Sequence, residues 1–296
     1  MGVSTVINLG AHVSIAGGID KAIDRGEALG CTTIQIFPGP PQTWRTIHHT
    51  DESITLFKQK HAYSSVKDVF IHAIYLCNCG SPDPIVYDKT YNALKDALEL
   101  QVKIGAQGVI VHPGSHRSTR RIEGLQRVVT VAKKLLTDVP HATLIFESSA
   151  GAGDTLGDSF DDLHYLIHGC GEPKRVGICL DTCHMFASGI DFRTTQAQHD
   201  CIASLIKLDL LSALRAIHIN DSAHPFASHR DVHANIGEGI IGITALRSFV
   251  ANNAFKGIPI ILETPILKTM AVSAGASIEK PGTYIDDILR LLTHRG

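Results

Sequence analysis

The sequence predicts an α/β fold, a single (β/α)8 barrel occupying residues 1–296, and three observations carry that prediction. Short β-rich runs alternate with amphipathic helical patterns at intervals of roughly 30 to 40 residues, as strands joined by crossover helices require. No low-complexity segment, linker or charge run divides the chain. The β-rich runs also end, one after another, in His, Asp or Glu, and the carboxyl ends of its strands are where a barrel carries its chemistry. An open parallel sheet is the alternative, because counting to eight rests on boundaries good only to a few residues.

In chain order, a strand over Val6–Val13 is followed by a helical pattern over Ile19–Leu29, and a strand over Thr33–Phe37 by Ser53–His61. The third strand, Val69–His72, closes on a histidine and leads to Ile85–Ile104, where Leu94, Ala97, Leu98, Gln101, Val102 and Gly105 keep the helical period. Gly108–His112 and Thr143–Glu147 end in a histidine and a glutamate, with Ile122–Leu136 between them and Phe160–Ile167 after. Val176–Asp181 ends in an acid with His184 three residues on, and Gln196–Leu208 follows. Ala216–Asn220, Thr244–Asn252, Ile258–Glu263 and Thr283–Leu292 complete eight strands and eight helices.

Composition narrows the class. With 44% hydrophobic and 19% charged residues in 296, the chain reads as an ordinary globular protein of one domain. No apolar stretch approaches the roughly 18 residues of a membrane span. The start, Met-Gly-Val-Ser-Thr-Val, lacks the regions of a secretion signal, and Val6 fails the myristoylation pattern. A cytoplasmic protein is expected. The seven cysteines are odd in number; Cys31, Cys170 and Cys201 stand apart, and neither Cys77 and Cys79 nor Cys179 and Cys183 have the spacing of a zinc finger or redox pair. Four of the seven are expected to pack as small apolar groups. The formal charge of −2 lacks the basic excess usual in nucleic-acid binders, but divalent ions on four candidate acids would reverse its sign locally.

Those acids belong to a larger set. His72, His112, Glu147 and Asp181 close successive strands, His184 follows the sixth, His218 lies near the end of the seventh, Asp231 and His233 sit in the loop after it, and Glu263 closes the eighth. One histidine on an apolar run is ordinarily a satisfied core residue. Six strand ends and the loops that follow them converging on such groups are another matter, since burying them together without a cation is costly. Five imidazoles and four carboxylates suit zinc, manganese or iron. A catalytic zinc takes about three protein ligands, so nine point to two or three ions. Ions about 4 Å apart clamp a phosphoester for in-line displacement. The residues alone reach a multinuclear metal hydrolase or isomerase.

The motifs go further. Gly-Ala-His-Val-Ser at 10–14, His-Pro-Gly-Ser-His at 112–116, Gly-Ile-Cys-Leu-Asp-Thr-Cys-His at 177–184, His-Ile-Asn-Asp at 218–221, Asp-Val-His at 231–233, Ile-Gly-Glu-Gly-Ile-Ile-Gly at 236–242 and Ile-Leu-Glu-Thr at 261–264 resemble endonuclease IV, the second family of apurinic/apyrimidinic endonucleases. The resemblance runs from Leu9 to about Thr264, in the family's order. It implies a TIM barrel with three zinc ions, with manganese or iron as partial substitutes, that repairs double-stranded DNA. Such an enzyme cuts 5′ of an abasic site, leaving a 3′-hydroxyl and a 5′-deoxyribose phosphate, and cleans 3′-blocked ends. The implied ligand sets are His72, His112 and Glu147; Asp181, His218 and Glu263, with Glu147 bridging; and His184, Asp231 and His233. The implied chemistry is in-line attack by a hydroxide lying between two zincs, with Glu147 and Glu263 as the catalytic carboxylates. Glu263 would orient or deprotonate the water, and the third zinc would stabilise the leaving oxygen.

For DNA contact the resemblance implies Tyr75 and Leu76 in the minor groove and Trp44 near the second strand. Gln42 stands where the family carries an arginine that fills the gap in the DNA stack, and Val232 replaces another arginine. Two cations are thus missing near DNA, so weaker or more salt-sensitive binding is expected. A monomer is expected, with no membrane partner. Gly237–Gly242 satisfies a dinucleotide-type glycine pattern but lacks the strand before it and the later acid, so backbone shaping is the better reading. His12 is expected near the metals without ligating them, and His116 as a supporting or phosphate-facing residue. The competing functions are a xylose-isomerase-like metal-dependent sugar isomerase and a binder of damaged DNA that does not cut.

Overall fold

The structure, a computed structural model, describes residues 8–265 and 282–292. Strand β1 (Leu9–His12) is followed by α1 (Lys21–Ala28), β2 (Thr33–Ile36), α2 (Asp51–Tyr63), β3 (Asp68–His72), α3 (Pro84–Ile104), β4 (Gly108–Val111) and α4 (Arg121–Asp138). Then come β5 (Leu144–Glu147), α5 (Phe160–Cys170), β6 (Val176–Asp181), α6 (Thr182–Ser188), α7 (Thr195–Lys207), α8 (Leu210–Ala213) and β7 (Leu214–His218). Two short strands, β8 (Asp221–Ser222) and β9 (His233–Ala234), precede α9 (Ile243–Val250), β10 (Ile260–Leu262) and α10 (Gly282–Leu292).

Eight parallel strands close in the order β1-β10-β7-β6-β5-β4-β3-β2, as the alternation of elements predicts. Side chains alternate across a strand with period two, and paired residues of neighbouring parallel strands share a face. The register therefore determines what points into the barrel. Gln35 pairs with Phe70, His72 with Ile110, Ile110 with Ile145, Glu147 with Cys179, Cys179 with Ala216, and Asp181 and His218 with each other. His218 also pairs with Ile261, and Ile261 with Gly10. Phe70, Ile110, Ile145, Cys179, Ala216 and Ile261 form a separate buried cluster that fills the barrel interior. Two residues further along each of those strands stand His72, His112, Glu147, Asp181, His218 and Glu263. The period that plugs the barrel with apolar groups thus sets a ring of ionisable groups directly above the plug.

Helix ends follow local chemistry. Asp83 caps α3 through its carboxylate, with Pro84 as first helical residue and Gly105 left-handed at the other end. Thr50, Ser159 and Thr194 cap α2, α5 and α7 in the same way. Strand β7 runs Leu214–His218 rather than Ala216–Asn220, because the Asn220 amide leaves the ladder to bond the Thr182 hydroxyl at 2.8 Å. His112 and Glu263 lie one residue beyond their strands. Helices α6 and α8 and the β8–β9 pair are absent from the sequence reading, each being too short to show a period. Val6 and Ile7 of the first expected strand lie outside the described residues. All seven cysteines are buried and unpaired, a broader burial than the four expected.

Candidate metal centre

All nine predicted ligand residues lie at the carboxyl mouth of the barrel. Glu147, fully buried at the end of β5, is the centre: one carboxylate oxygen lies 3.1 Å from His72 Nε2 and 3.6 Å from His112 Nε2. The other lies 2.9 Å from His218 Nδ1 and 3.2 Å from His184 Nδ1. Glu263 reaches His218 Nδ1 at 3.3 Å from the opposite side. His184 Nε2 faces Asp231 at 3.1 Å and His233 Nε2 at 3.4 Å. Within 4.8 Å, ligand atoms group as His72, His112 and Glu147; as Glu147, Asp181, His218 and Glu263; and as His184, Asp231 and His233. Asp181, Cys183 and His233 form a further group. Burial and then Asp181 push the Cys183 thiol up to about 12, and its sulfur faces the Val232 carbonyl at 3.7 Å, so Cys183 is no ready thiolate.

The imidazoles are oriented by their outer nitrogens. His72 Nδ1 donates to the Ala73 carbonyl at 2.7 Å and His184 Nδ1 to the Ser148 carbonyl at 2.9 Å, so each has its Nε2 lone pair toward the carboxylates. His218 is reversed: its Nε2 donates to Gln35 Oε1 at 2.8 Å and its Nδ1 faces Glu147 and Glu263. Fixing the tautomer of a ligating histidine through its far nitrogen is how proteins prepare such ligands. The acids are held likewise. Asp181 caps α6 by accepting the His184 amide at 2.8 Å, and its other oxygen accepts from Asn220 Nδ2 at 2.6 Å. Asn220 Oδ1 accepts the Glu263 amide at 3.0 Å, and Ser148 Oγ accepts the Asp181 amide at 2.9 Å. Sequence reasoning missed Gln35, Asn220 and Ser148. Gln35 could have been found as the inward polar residue two places after Thr33, and Asn220 as the polar member of His-Ile-Asn-Asp.

The charge balance asks for cations. Among the described residues, the ion-pair partners of Glu147, Asp181, Asp231 and Glu263 are all histidines, with no lysine or arginine. Burial disfavours ionised Glu147, yet the neighbouring imidazoles, chiefly His218 and His184 with their hydrogen bonds, outweigh it and hold the carboxyl well below its ordinary value, while burial pushes the His112 imidazole below its own. Burial likewise works against protonated His184, but Asp181 and Asp231 hold it well above the ordinary imidazole value. His233, desolvated but facing Asp181, rises to about 9. The protein alone can keep these acids buried only by protonating their histidine neighbours, and divalent ions would take the place of those protons. The donor set, its grouping and its tautomers fit such ions.

The loop that carries β8 and β9, rather than a barrel strand, positions Asp231 and His233 of the third group. Antiparallel pairing of β8 with β9 sets Ser222 opposite His233. Asp221, fully buried, accepts the backbone N–H groups of Ser222 at 2.8 Å, Gly237 at 3.1 Å, Ile241 at 2.9 Å and Gly242 at 3.3 Å. A Cβ at Gly239 would lie 2.5 Å from Asp221 Oδ1 and from the Ser222 carbonyl, so only glycine lets the loop approach. The donors that a nucleotide phosphate would need are thus taken by Asp221. Backbone shaping accounts for the motif.

Around the mouth, Tyr75 is 60% exposed, its ring 5.9 Å from His72 and 5.2 Å from Phe37, and its amide bonds the Pro41 carbonyl at 3.0 Å. Leu76 is half-buried beside it. Gln42 and Val232 are exposed, while Trp44 is half-buried against the core with the Lys89 ammonium 6.0 Å from its ring. His116 is half-buried, 4.0 Å from Asp154. Among the described residues no helix is long and apolar enough to cross a membrane.

Comparison with known proteins adds to this geometry. Residues 23–292 match the family model described as a xylose isomerase-like TIM barrel. A probable endonuclease 4 of Trichlorobacter lovleyi is 36% identical over 259 residues, covering 87% of this chain and 92% of that protein. One of Halothermothrix orenii is 35% identical over 260 residues, covering 88% and 94%. The crystal structure of endonuclease IV from Thermus thermophilus superposes with a TM-score of 0.78 at 31% identity, over 87% of this chain and 92% of that one. A D-tagatose 3-epimerase-like protein, at a TM-score of 0.64 and 17% identity, shares the fold alone.

Proposed function

This chain belongs to the endonuclease IV family of xylose isomerase-like TIM barrels, and from that premise we propose that it is a metal-dependent DNA repair endonuclease. It hydrolyses the phosphodiester 5′ of an abasic site, leaves a 3′-hydroxyl and a 5′-deoxyribose phosphate, and removes 3′-blocking groups. It acts as a monomer of one domain, residues 1–296, in the cytoplasm. The observation that carries the reading is the convergence of four carboxylates and five imidazoles into three ligand-sized groups, with no lysine or arginine paired to these carboxylates among the described residues.

In this reading His72, His112 and Glu147 hold one zinc, Glu147 with Asp181, His218 and Glu263 a second, and His184, Asp231 and His233 a third. When bound, such ions lower the pKa of water from 15.7 toward about 7 and neutralise charge on a phosphoryl group. The residues divide the remaining work. Glu147, with no solvent access, joins two groups and holds their histidines in place. Glu263, its side chain 15% exposed, is the carboxylate that meets incoming water and orients it. Asp231, half exposed, meets the leaving side of the scissile bond with His184 and His233. Tyr75 and Leu76 stand on the rim to enter the minor groove. An abasic nucleotide is extruded cheaply because no base pair is broken, which favours the lesion.

The test is elemental analysis of the purified protein, then incubation with an abasic-site duplex with and without chelator. Close to three divalent ions per chain and chelator-sensitive incision are expected. Metal-free protein as purified, or fully loaded protein that leaves the duplex intact, would sink the reading. Ketose isomerisation without incision would favour the sugar-isomerase alternative, and a gel shift without a nick the non-cutting binder.

A further inference from the structure

The inward layer that carries the ligands has two more members. His12 and Gln35 pair with each other across β1 and β2, and the alternation that points Glu263 and His72 into the mouth points both of these there. The Gln35 amide joins three groups at once. Its Oε1 accepts from His218 Nε2 at 2.8 Å, while its Nε2 donates to Glu263 Oε1 and, at 2.9 Å, to His12 Nδ1. The reverse amide orientation would set oxygen against the Glu263 carboxylate, so the network admits one placement. An amide N–H directed at His12 Nδ1 makes that nitrogen an acceptor. The neutral ring then carries its proton on Nε2.

Among the described residues, no protein group accepts from His12 Nε2, which is buried. His12 lines a cavity of about 640 Å³ together with Glu263, Tyr75 and Phe37. A buried donor without a partner is unfavourable and calls for an explanation in a ligand. The phosphates of a DNA strand offer acceptors and no donors, which suits a fixed N–H. Resting on the proposed function, we propose that His12 is a substrate-contacting residue. Locked by Gln35 in one tautomer, it donates to a non-bridging phosphate oxygen of the DNA strand lying beside Glu263.

The experiment uses the metal-loaded protein, an abasic duplex, and a set of duplexes in which one phosphate at a time near the lesion is a methylphosphonate. His12→Phe should keep the full metal content and melt no more than roughly 2–5 °C below wild type, the effect of the Gln35 N–H it leaves unpaired, while losing about 10- to 100-fold in kcat/KM, the weight of one hydrogen bond to a charged acceptor. On one methylphosphonate duplex that loss should vanish. His12→Gln, which restores a donor near the Nε2 position, should recover part of it. Nitrogen-15 NMR of the zinc-loaded protein should show the Nε2–H tautomer of His12, and Gln35→Glu should move the proton to Nδ1. Incision by His12→Phe within twofold of wild type, metal loss in proportion to activity, or an equal penalty at every phosphate would each overturn the contact. An unchanged tautomer in Gln35→Glu would overturn the role of Gln35. Wild-type protein that fails to incise any duplex sinks the endonuclease reading instead, and the tautomer measurement still judges the Gln35–His12 pair.

Discussion

Replacing Asp221 by asparagine keeps the shape of the side chain and changes only what its oxygens can accept. In the wild type one oxygen takes the amides of Ser222 and Ile241, and the other takes Gly237, with Gly242 shared between them. In the more favourable orientation the new NH2 group faces the N–H of the exposed Gly237, so both donors lose their partner, the NH2 group in a fully buried place. The buried unsatisfied NH2 group costs about 1–3 kcal/mol, and the lost charge assistance adds about 1, giving roughly 2–4 kcal/mol. For a chain of this length the unfolding entropy is about 0.6 kcal/mol/K, so the melting temperature should fall by roughly 3–7 °C. The damage should be local as well. The β8–β9 pairing that holds His233 is the part of the site Asp221 supports, so the ion of the His184, Asp231 and His233 group should be lost first. Calorimetry and elemental analysis read the two effects. A variant that melts within about 1 °C of wild type with its metals complete would refute the role given to Asp221.

Gly239→Ala should be damaging in the same region, because its Cβ meets the Asp221 carboxylate and the Ser222 carbonyl at 2.5 Å; a loss of about 2–4 kcal/mol in a denaturant titration is expected, and a neutral result would show that the loop can shift. The metal-free protein should lose stability as pH rises. His184, His218 and His233 have folded values raised above the ordinary imidazole near 6.5, so their contribution is complete below about 6.5 and is lost as pH climbs through the folded values, that of His233 being about 9. Chelated protein that resists denaturant better at pH 9 than at pH 6 would contradict this, while metal affinity should rise over the same window as protons leave the ligands. Val232→Arg, at an exposed position beside Asp231, should tighten DNA binding and steepen the dependence of log K on log salt by about one. By the same arithmetic the wild type, lacking that cation, should bind more weakly with a shallower salt slope, so greater salt sensitivity is not the expected outcome. An unchanged slope would show that residue 232 meets no phosphate.

The barrel was legible in the sequence because its two periods are local. Alternating short apolar runs and helical patterns need no knowledge of what packs on what, and His72, Glu147 and Asp181 announce themselves as ionisable groups ending apolar strands. The nine residues were legible as a set for the same reason. Their grouping rested on resemblance, since only the stagger of the closed barrel puts Glu147 between four histidines contributed by other elements. Asp181 reads in the sequence as an acid closing its strand, and in the fold it also caps α6, a seven-residue helix too short to show a period. Gln35 and Asn220 look like ordinary polar residues in the chain. Their importance lies in hydrogen bonds across 183 and 39 residues of sequence, to His218 and Asp181 respectively. Local propensity and alternation decide which side chains point inward. Closure of the sheet decides which of them meet, and that depends on register between strands far apart in the chain.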